Sequence, residues 1–527
     1  MFRQCSRKWP AVIFASGPRS ACFVIRTLHP TLLRVPALRA AALGSRVRRP
    51  LFGALLIGFG LSACTVGPFY KKPDVAAPAA WRQSDTGPAV LGTGSAPSEA
   101  IPLWPAAQWW QGFKSPQLDD LMTQAQKAND DLAAAVARVR EADAQVRIAG
   151  APLFPSLQAS GTATRERTKP ANAPSGTPAT TFNQFGAELG ASYELDFWGK
   201  NLAARRSASF SAEASRYDRA TVELTVMTSV AITYFQAMES HDRLEVAQQD
   251  LATAQEVLKD LKTELSVGIV NALDVAQQET TVAVLSATIP PLQQQFRQSV
   301  NALAVLVGRP PQGLEFPGGS LTALSEPQVR PGMPSELLVR RPDVASSEAQ
   351  LKAANADIQA ARAAFFPSID LTADGGFVST ALSTLITPAN RVFNISGQVA
   401  QQIFAGGALT GRYQLTKARY SELLADYHKT VLTAFGDVEN ALVALQQTAD
   451  QYQREEEAVA TARRAYDFTQ TQLHAGVVNI LTVLNTQSAL FNAQDALVQV
   501  RFAHLQALIQ LYSALGGGWT QQVIVQR

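Results

Sequence analysis

The chain says nearly the same thing twice. Leu153-Phe154-Pro155-Ser156-Leu157 recurs as Phe365-Phe366-Pro367-Ser368-Ile369, and Asp196-Phe197-Trp198-Gly199 recurs, less closely, as Ile403-Phe404-Ala405-Gly406. Gly268-Ile269-Val270-Asn271-Ala272-Leu273-Asp274-Val275 recurs as Gly476-Val477-Val478-Asn479-Ile480-Leu481-Thr482-Val483. The pairs keep their order and lie 212, 207 and 208 residues apart. A structural unit of about 200 residues is therefore used twice, and any fold must have two matching halves.

Each copy reads as helix, strand, loop, strand, very long helix, turn, helix. A helical pattern begins near Pro116 and runs to about Ala151, stopped by Pro155. In 157–164, Leu157, Ala159, Gly161 and Ala163 alternate with polar residues. In 185–197, Phe185, Ala187, Leu189, Ala191, Tyr193, Leu195 and Phe197 alternate with mostly polar or small residues. The second copy repeats this with Ile369, Leu371, Ala373 and Phe377, then Phe393, Ile395 and Val399. Period two with one apolar face marks strands, each about the 9–11 residues that a tilted strand needs to cross a bilayer. Between the first two, 165–182 reads as a long solvated hairpin loop carrying Arg165, Arg167 and Lys169.

Sustained four-three spacing then predicts helices over about 199–264 and 407–473, as in Tyr413, Tyr420 and Tyr427. At 1.5 Å per residue each is a rod of roughly 100 Å. Gly268 and Gly476 supply the turns, where a positive φ is needed. Return helices are predicted over 272–306 and 481–514, the first kinked or broken by Pro290-Pro291.

The formal charge of +3 hides an imbalance. Residues 1–63 hold ten Lys or Arg and no acid; the remainder carries 36 basic against 43 acidic residues, or −7. A nucleic-acid surface is not supported. Arg46, Arg48 and Arg49 precede the apolar run Leu51–Leu61, and Leu61-Ser62-Ala63-Cys64 fits a lipoprotein cleavage site. The expectation is cleavage before Cys64 and a covalent lipid on its thiol; an ordinary signal peptide or a short anchor is the alternative. A signal peptide starting near Val47 has a normal length, so translation is expected to start there and 1–45 to precede the true start. The expected organisation is signal 1–63, lipidated arm and equatorial packing 64–115, first repeat 116–306, equatorial linker 307–335, second repeat 336–515 and tail 516–527.

Both hairpins fall at one end of the rods. Four amphipathic strands cannot close a barrel, and open strand edges are not tolerated in lipid. At least eight strands are needed, so several chains must share one barrel. The reading is an α+β membrane protein: a β-barrel shared between chains on a long coiled-coil tunnel.

At this point the chain resembles the TolC-like outer-membrane factors, specifically their NodT-type efflux lipoprotein branch. The resemblance rests on Cys64-Thr65-Val66-Gly67-Pro68, Trp109-Trp110 with Phe113, Arg340-Arg341-Pro342-Asp343-Val344, Phe365-Phe366-Pro367-Ser368 and Leu515-Gly516-Gly517-Gly518-Trp519. It covers nearly the whole mature chain. It implies a homotrimer, a twelve-stranded barrel in the outer membrane, a periplasmic α-helical tunnel, and work with a periplasmic adaptor and an inner-membrane efflux pump. It also implies that Val267-Gly268-Ile269 and Ala475-Gly476-Val477 are adaptor-facing turns. The periplasmic gate would draw on Asp274, Leu481, Thr482 and Asn485. Family members often carry acids where Thr482 and Asn485 stand, so Leu481 is expected to give an apolar constriction and Asp274 a polar one. Pro155 and Pro367 mark the helix-to-strand junctions.

Enzymatic, P-loop and metalloprotease motifs are missing from the sequence, and the mature histidines are scattered. No cofactor is expected beyond the Cys64 lipid. Two alternatives stay open: a type I protein-secretion exit duct, and a structural coiled-coil lipoprotein without a channel.

Overall fold

Two helices of 67 residues dominate the molecule, α3 over Lys200–Ser266 and α6 over Ala408–His474, and each turns back into a helix of 35 residues, α4 over Ala272–Leu306 and α7 over Ile480–Ala514. Equal lengths in both halves are the structural form of the duplication. The fold is that of a computed structural model describing residues 67, 70–82, 104–169, 172, 174, 176–328 and 331–520. The signal segment, Cys64 and the end of the tail lie outside the described residues.

The helix expected from Pro116 to Ala151 is two: α1, Pro116–Ala128, and α2, Asp130–Gly150. Asn129 causes the break. Its backbone is extended, its Oδ1 accepts from Leu132 N at 3.0 Å, and its Nδ2 donates to the Leu306 carbonyl at 2.9 Å. A capping side chain and a tertiary bond together outweigh the helical pattern on either side. At Pro290-Pro291, where a kink or a break was expected, there is no break: α4 runs through both prolines. Both are exposed, as are Ser286 and Ala287 one turn earlier, so the carbonyls that lose their N–H partners can bond water.

The strands are β1, Ser156–Thr168; β2, Thr180–Glu194; β3, Ser368–Ser379; and β4, Arg391–Ala400. They form one antiparallel sheet in the order β1-β2-β3-β4. β1 and β2 extend into the expected 165–182 loop, which shrinks to 169–179. The central β2–β3 pairing joins the two halves, with Leu189 opposite Gly375 and Tyr193 opposite Leu371. Between α4 and β3, a further helix, α5 (Pro342–Ala363), packs on α3 and α6.

The largest core lies where the termini cross the rods. Trp109 stacks on Tyr512, with centroids 5.3 Å apart, and Phe113 meets Phe235 edge-on at 5.0 Å. Both Trp109 and Phe113 come from the 64–115 arm, in which Trp109–Phe113 is a five-residue 3-10 helix. Aromatic burial of this kind supplies the area that slender rods lack.

Candidate functional site at the helical tips and strand end

At the far end of the rods from the sheet, both turns are built alike. After α3, Gly268 takes φ 82°, its N–H donates to Leu265 O, and Ile269 N donates to Glu264 O at 3.0 Å. After α6, Gly476 takes φ 69°, its N–H donates to Leu473 O, and Val477 N donates to Gln472 O at 2.9 Å. These paired bonds close the carbonyls at a helix end and require a left-handed residue. Val267, Ile269 and Val477 are left about 70% exposed, and Ala475 is exposed too.

The copies differ one step later. Asn271 caps α4 by accepting from Leu273 N and Asp274 N at 2.8 and 3.1 Å, and Asp274 Oδ2 accepts from Asn271 N at 3.2 Å. This reciprocal box commits one oxygen of Asp274 to its own helix. Asn479 caps α7 by accepting from both the N–H and the hydroxyl of Thr482, at 3.1 and 3.0 Å. A carboxylate that accepts in the first copy is replaced by a hydroxyl that donates in the second. Leu481 and Asn485 are exposed on the first two turns of α7. A shared cluster of Leu261, Val275, Tyr466, Ile480, Val483 and Leu490 ties both tips into one unit.

Sequence reasoning missed the layer above this cluster. Arg243 of α3 holds Asp495 of α7 through two bonds, Nε to Oδ1 at 2.6 Å and Nη2 to Oδ2 at 3.2 Å, and also meets Glu239 at 3.1 Å. Nearby Asp250 is buried and accepts no hydrogen bond among the described residues. Desolvation pushes its carboxyl up to about 7; Arg463 opposes this and Asp495 adds to it. Gln487 is fully buried with both amide atoms unpaired, and Gln278 Oε1 and Tyr466 Oη are unpaired as well. A polar residue at a seam position carries no periodic signal, so only contacts could reveal this layer.

At the strand end, the motif 196–199 acts as a joint. Asp196 caps α3 by accepting from Asn201 N and Leu202 N at 2.9 and 2.7 Å. Trp198 Nε1 donates to the Pro367 carbonyl at 2.9 Å, and its ring stacks on Phe366 at 4.6 Å. The junction of one copy is thus bolted to that of the other. Pro155 follows the 3-10 turn Ala151–Leu153 and precedes β1 directly. The second-copy counterparts Ile403 and Phe404 are almost fully exposed.

Among the described residues, His241, Asp242 and Glu245 present donor atoms within 4.8 Å of one another. Asp242 Oδ2, however, already accepts from Ser320 Oγ and Leu321 N at 3.1 and 2.9 Å. The group therefore reads as an anchor for the linker rather than a metal centre.

The family model described as outer membrane efflux protein matches residues 121–309 and 333–517, once for each copy. The chain is 42% identical over 463 residues to the pyoverdine export outer membrane protein OpmQ of Pseudomonas aeruginosa, covering 87% of this chain and 95% of that one. It is 34% identical over 477 residues to the probable efflux pump outer membrane protein TtgC of Pseudomonas putida, covering 90% and 96%. Its fold superposes on the outer-membrane channel OprN with a TM-score of 0.80 at 25% identity, covering 86% of this chain and 100% of that one. The chain belongs to the outer membrane efflux protein family: it is a non-enzymatic outer-membrane channel, the exit duct of an efflux system.

Proposed function

We propose that three copies assemble into one duct. Their four-stranded sheets close a twelve-stranded barrel in the outer membrane, and their coils form a periplasmic tunnel. One observation carries this reading. Among the described residues of the single chain, β1 pairs only with β2 and β4 only with β3, although the sheet has an apolar face built for lipid. Free edges in hydrocarbon leave backbone groups unsatisfied, and sharing strands between chains removes them. At the other end, the exposed Val267-Gly268-Ile269 and Ala475-Gly476-Val477 turns receive a periplasmic adaptor protein, which links the duct to an RND-type inner-membrane pump. Asp274, Leu481, Thr482 and Asn485 close the tunnel, and a lipid on Cys64 tethers the arm.

The cargo is a small toxic compound. A second reading, export of pyoverdine, is favoured by the similarity to OpmQ, a pyoverdine export outer membrane protein. The test is planar-bilayer conductance of Asp274→Ala and Leu481→Ala, with native mass spectrometry of the same samples. Raised conductance from a trimeric mass supports the reading. Two unchanged conductances overturn the gate, and a monomeric mass overturns the shared barrel. Labelling by radioactive palmitate that persists in Cys64→Ser overturns the anchor.

A further inference from the structure

The sheet sorts its charges by strand parity. The registers place odd residues opposite odd residues throughout: Leu157 with Ala191, Ala191 with Ala373, and Ala373 with Ile395. Alternate residues point to opposite faces, so all odd positions share one face and all even positions the other. The odd face is the apolar one, carrying Leu157, Leu189, Leu371, Phe393, Ile395 and Val399. It faces hydrocarbon. The even face carries Glu166, Glu188, Glu194, Asp370 and Asp374, and no Lys or Arg. The odd face holds no acid. Its charges are Arg165 and Arg167 on β1 and Arg391 on β4, with Lys169 following β1 in the same parity.

Those four cations are also placed by height. α2 leads into the start of β1 and α3 leaves the end of β2, so the periplasmic rim lies at Ser156 and Glu194. Arg165, Arg167 and Lys169 lie at the opposite, outer rim, directly past the apolar Leu157–Ala163 row. Arg391 opens β4 on the outer side, directly before Phe393 and in register with Phe377, Ala187 and Gly161, four residues short of Arg165. All four are exposed, and none makes an ion pair or side-chain hydrogen bond among the described residues. A solvated loop gives no reason for bases to avoid the lumen side while Glu166, set between two arginines, takes it. An anionic layer outside the barrel does give one.

We propose that these four side chains form a binding surface for the phosphate groups of outer-leaflet glycolipid. The acyl chains lie on the odd face below, and the phosphates meet the guanidinium and ammonium groups at the rim. β1 and β4 are the two edges of the sheet. Trimer closure, on which this part rests, brings Arg391 of one protomer beside the β1 cations of the next, giving three such surfaces at the protomer seams.

The test is native mass spectrometry of the detergent-purified full-length protein with bisphosphorylated lipid A, against the same lipid stripped of both phosphates. The comparison protein is the quadruple variant Arg165→Gln, Arg167→Gln, Lys169→Gln and Arg391→Gln. Each basic residue near an anionic lipid surface contributes roughly fivefold in affinity. Lipid A adducts should therefore fall at least tenfold in the variant and at least tenfold on dephosphorylation, while Glu166→Gln on the lumen face keeps them. Equal adducts from the two lipids on the unaltered protein overturn the proposal, with no variant needed. Equal adducts on the protein and the quadruple variant overturn it too. The same spectra report the oligomer: a monomeric mass breaks the shared-barrel reading, whereas trimers indifferent to phosphate break only this one.

Discussion

Asp250 is the group through which pH should act on the rods. It sits on α3, with Arg463 of α6 and Asp495 of α7 around it, and burial holds its carboxyl near 7. The unfolded or locally opened chain would ionise near 4. Below that value both states are protonated and the site costs nothing. As pH rises from about 4 to 7 the open state loses its proton first, so the packed seam loses stability, and above 7 the penalty is constant. At about 1.4 kcal/mol per pH unit the full difference is ~4 kcal/mol, an upper bound. The seam has little to set against it, since Gln487, Gln278 and Tyr466 already leave buried atoms unpaired. Asp250→Asn keeps the shape and removes the charge. Hydrogen exchange over 245–256 and 487–500, corrected for the intrinsic rate, should then slow at least a hundredfold at pH 8, by a much smaller factor at pH 5 and not at all at pH 3. Arg463→Gln removes the opposing cation and should move the transition to higher pH. An Asp250→Asn effect equal at pH 3 and pH 8, or faster exchange at pH 8, would refute the reasoning.

Three further outcomes are expected. Arg341 is 13% exposed in its side chain and bridges Asp343 at 2.7 Å and Asp437 at 2.8 Å. Arg341→Met should cost about 2 kcal/mol in a denaturation midpoint, less than a fully buried pair because both carboxylates are partly solvated; unchanged stability would remove its role as a clamp. Gly476 meets no atom where a Cβ would sit, so its constraint is the backbone alone. Gly476→Asn should leave exchange over 470–484 unchanged and Gly476→Val should speed it, by about 1–2 kcal/mol of local stability; equal effects of the two would contradict this. Replacing Pro290 and Pro291 by Ala restores two helix donors, so amide exchange around 286–291 should slow by at least tenfold; no change would mean that the helix is already open there.

The rods were legible because their signal is repeated over dozens of residues. Four-three spacing placed α3 and α6 to within two residues at each end, and the glycines placed the turns. The strands were legible as a parity pattern, though their outer ends were not. Thr, Arg and Asn near 165–168 and 180–183 break the apolar alternation, and pairing with the neighbouring strand carries them into the sheet regardless. The errors share a cause. Asn129 splits a helix through a bond to Leu306, 177 residues away, and Pro290-Pro291 spare one because the affected carbonyls face water. Neither partner is visible in a local window. The polar layer around Asp250 was invisible for the same reason, since its members lie on four different helices.

The two copies build one wall but are not interchangeable, and the differences fall at both ends. At the tips, Asp274 turns a carboxylate back on its own helix where Thr482 offers a hydroxyl. At the strand end, Asp196 and Trp198 cap and bolt the first junction, whereas Ile403 and Phe404 leave the second joint open to its surroundings. A duplicated unit under one constraint would keep both joints alike. Here the first copy carries the internal fastening: its Trp198 reaches the Pro367 carbonyl of the second, and its Arg243 reaches Asp495. The second copy presents the larger exposed apolar surface, including Phe393, Ile395, Ile403 and Phe404. The hydrophobic effect gives such surface a partner, lipid or another chain. Fastening within the chain and contact beyond it have thus been divided between two descendants of one unit, which a single chain with four strands needs if it is to be both rigid and incomplete.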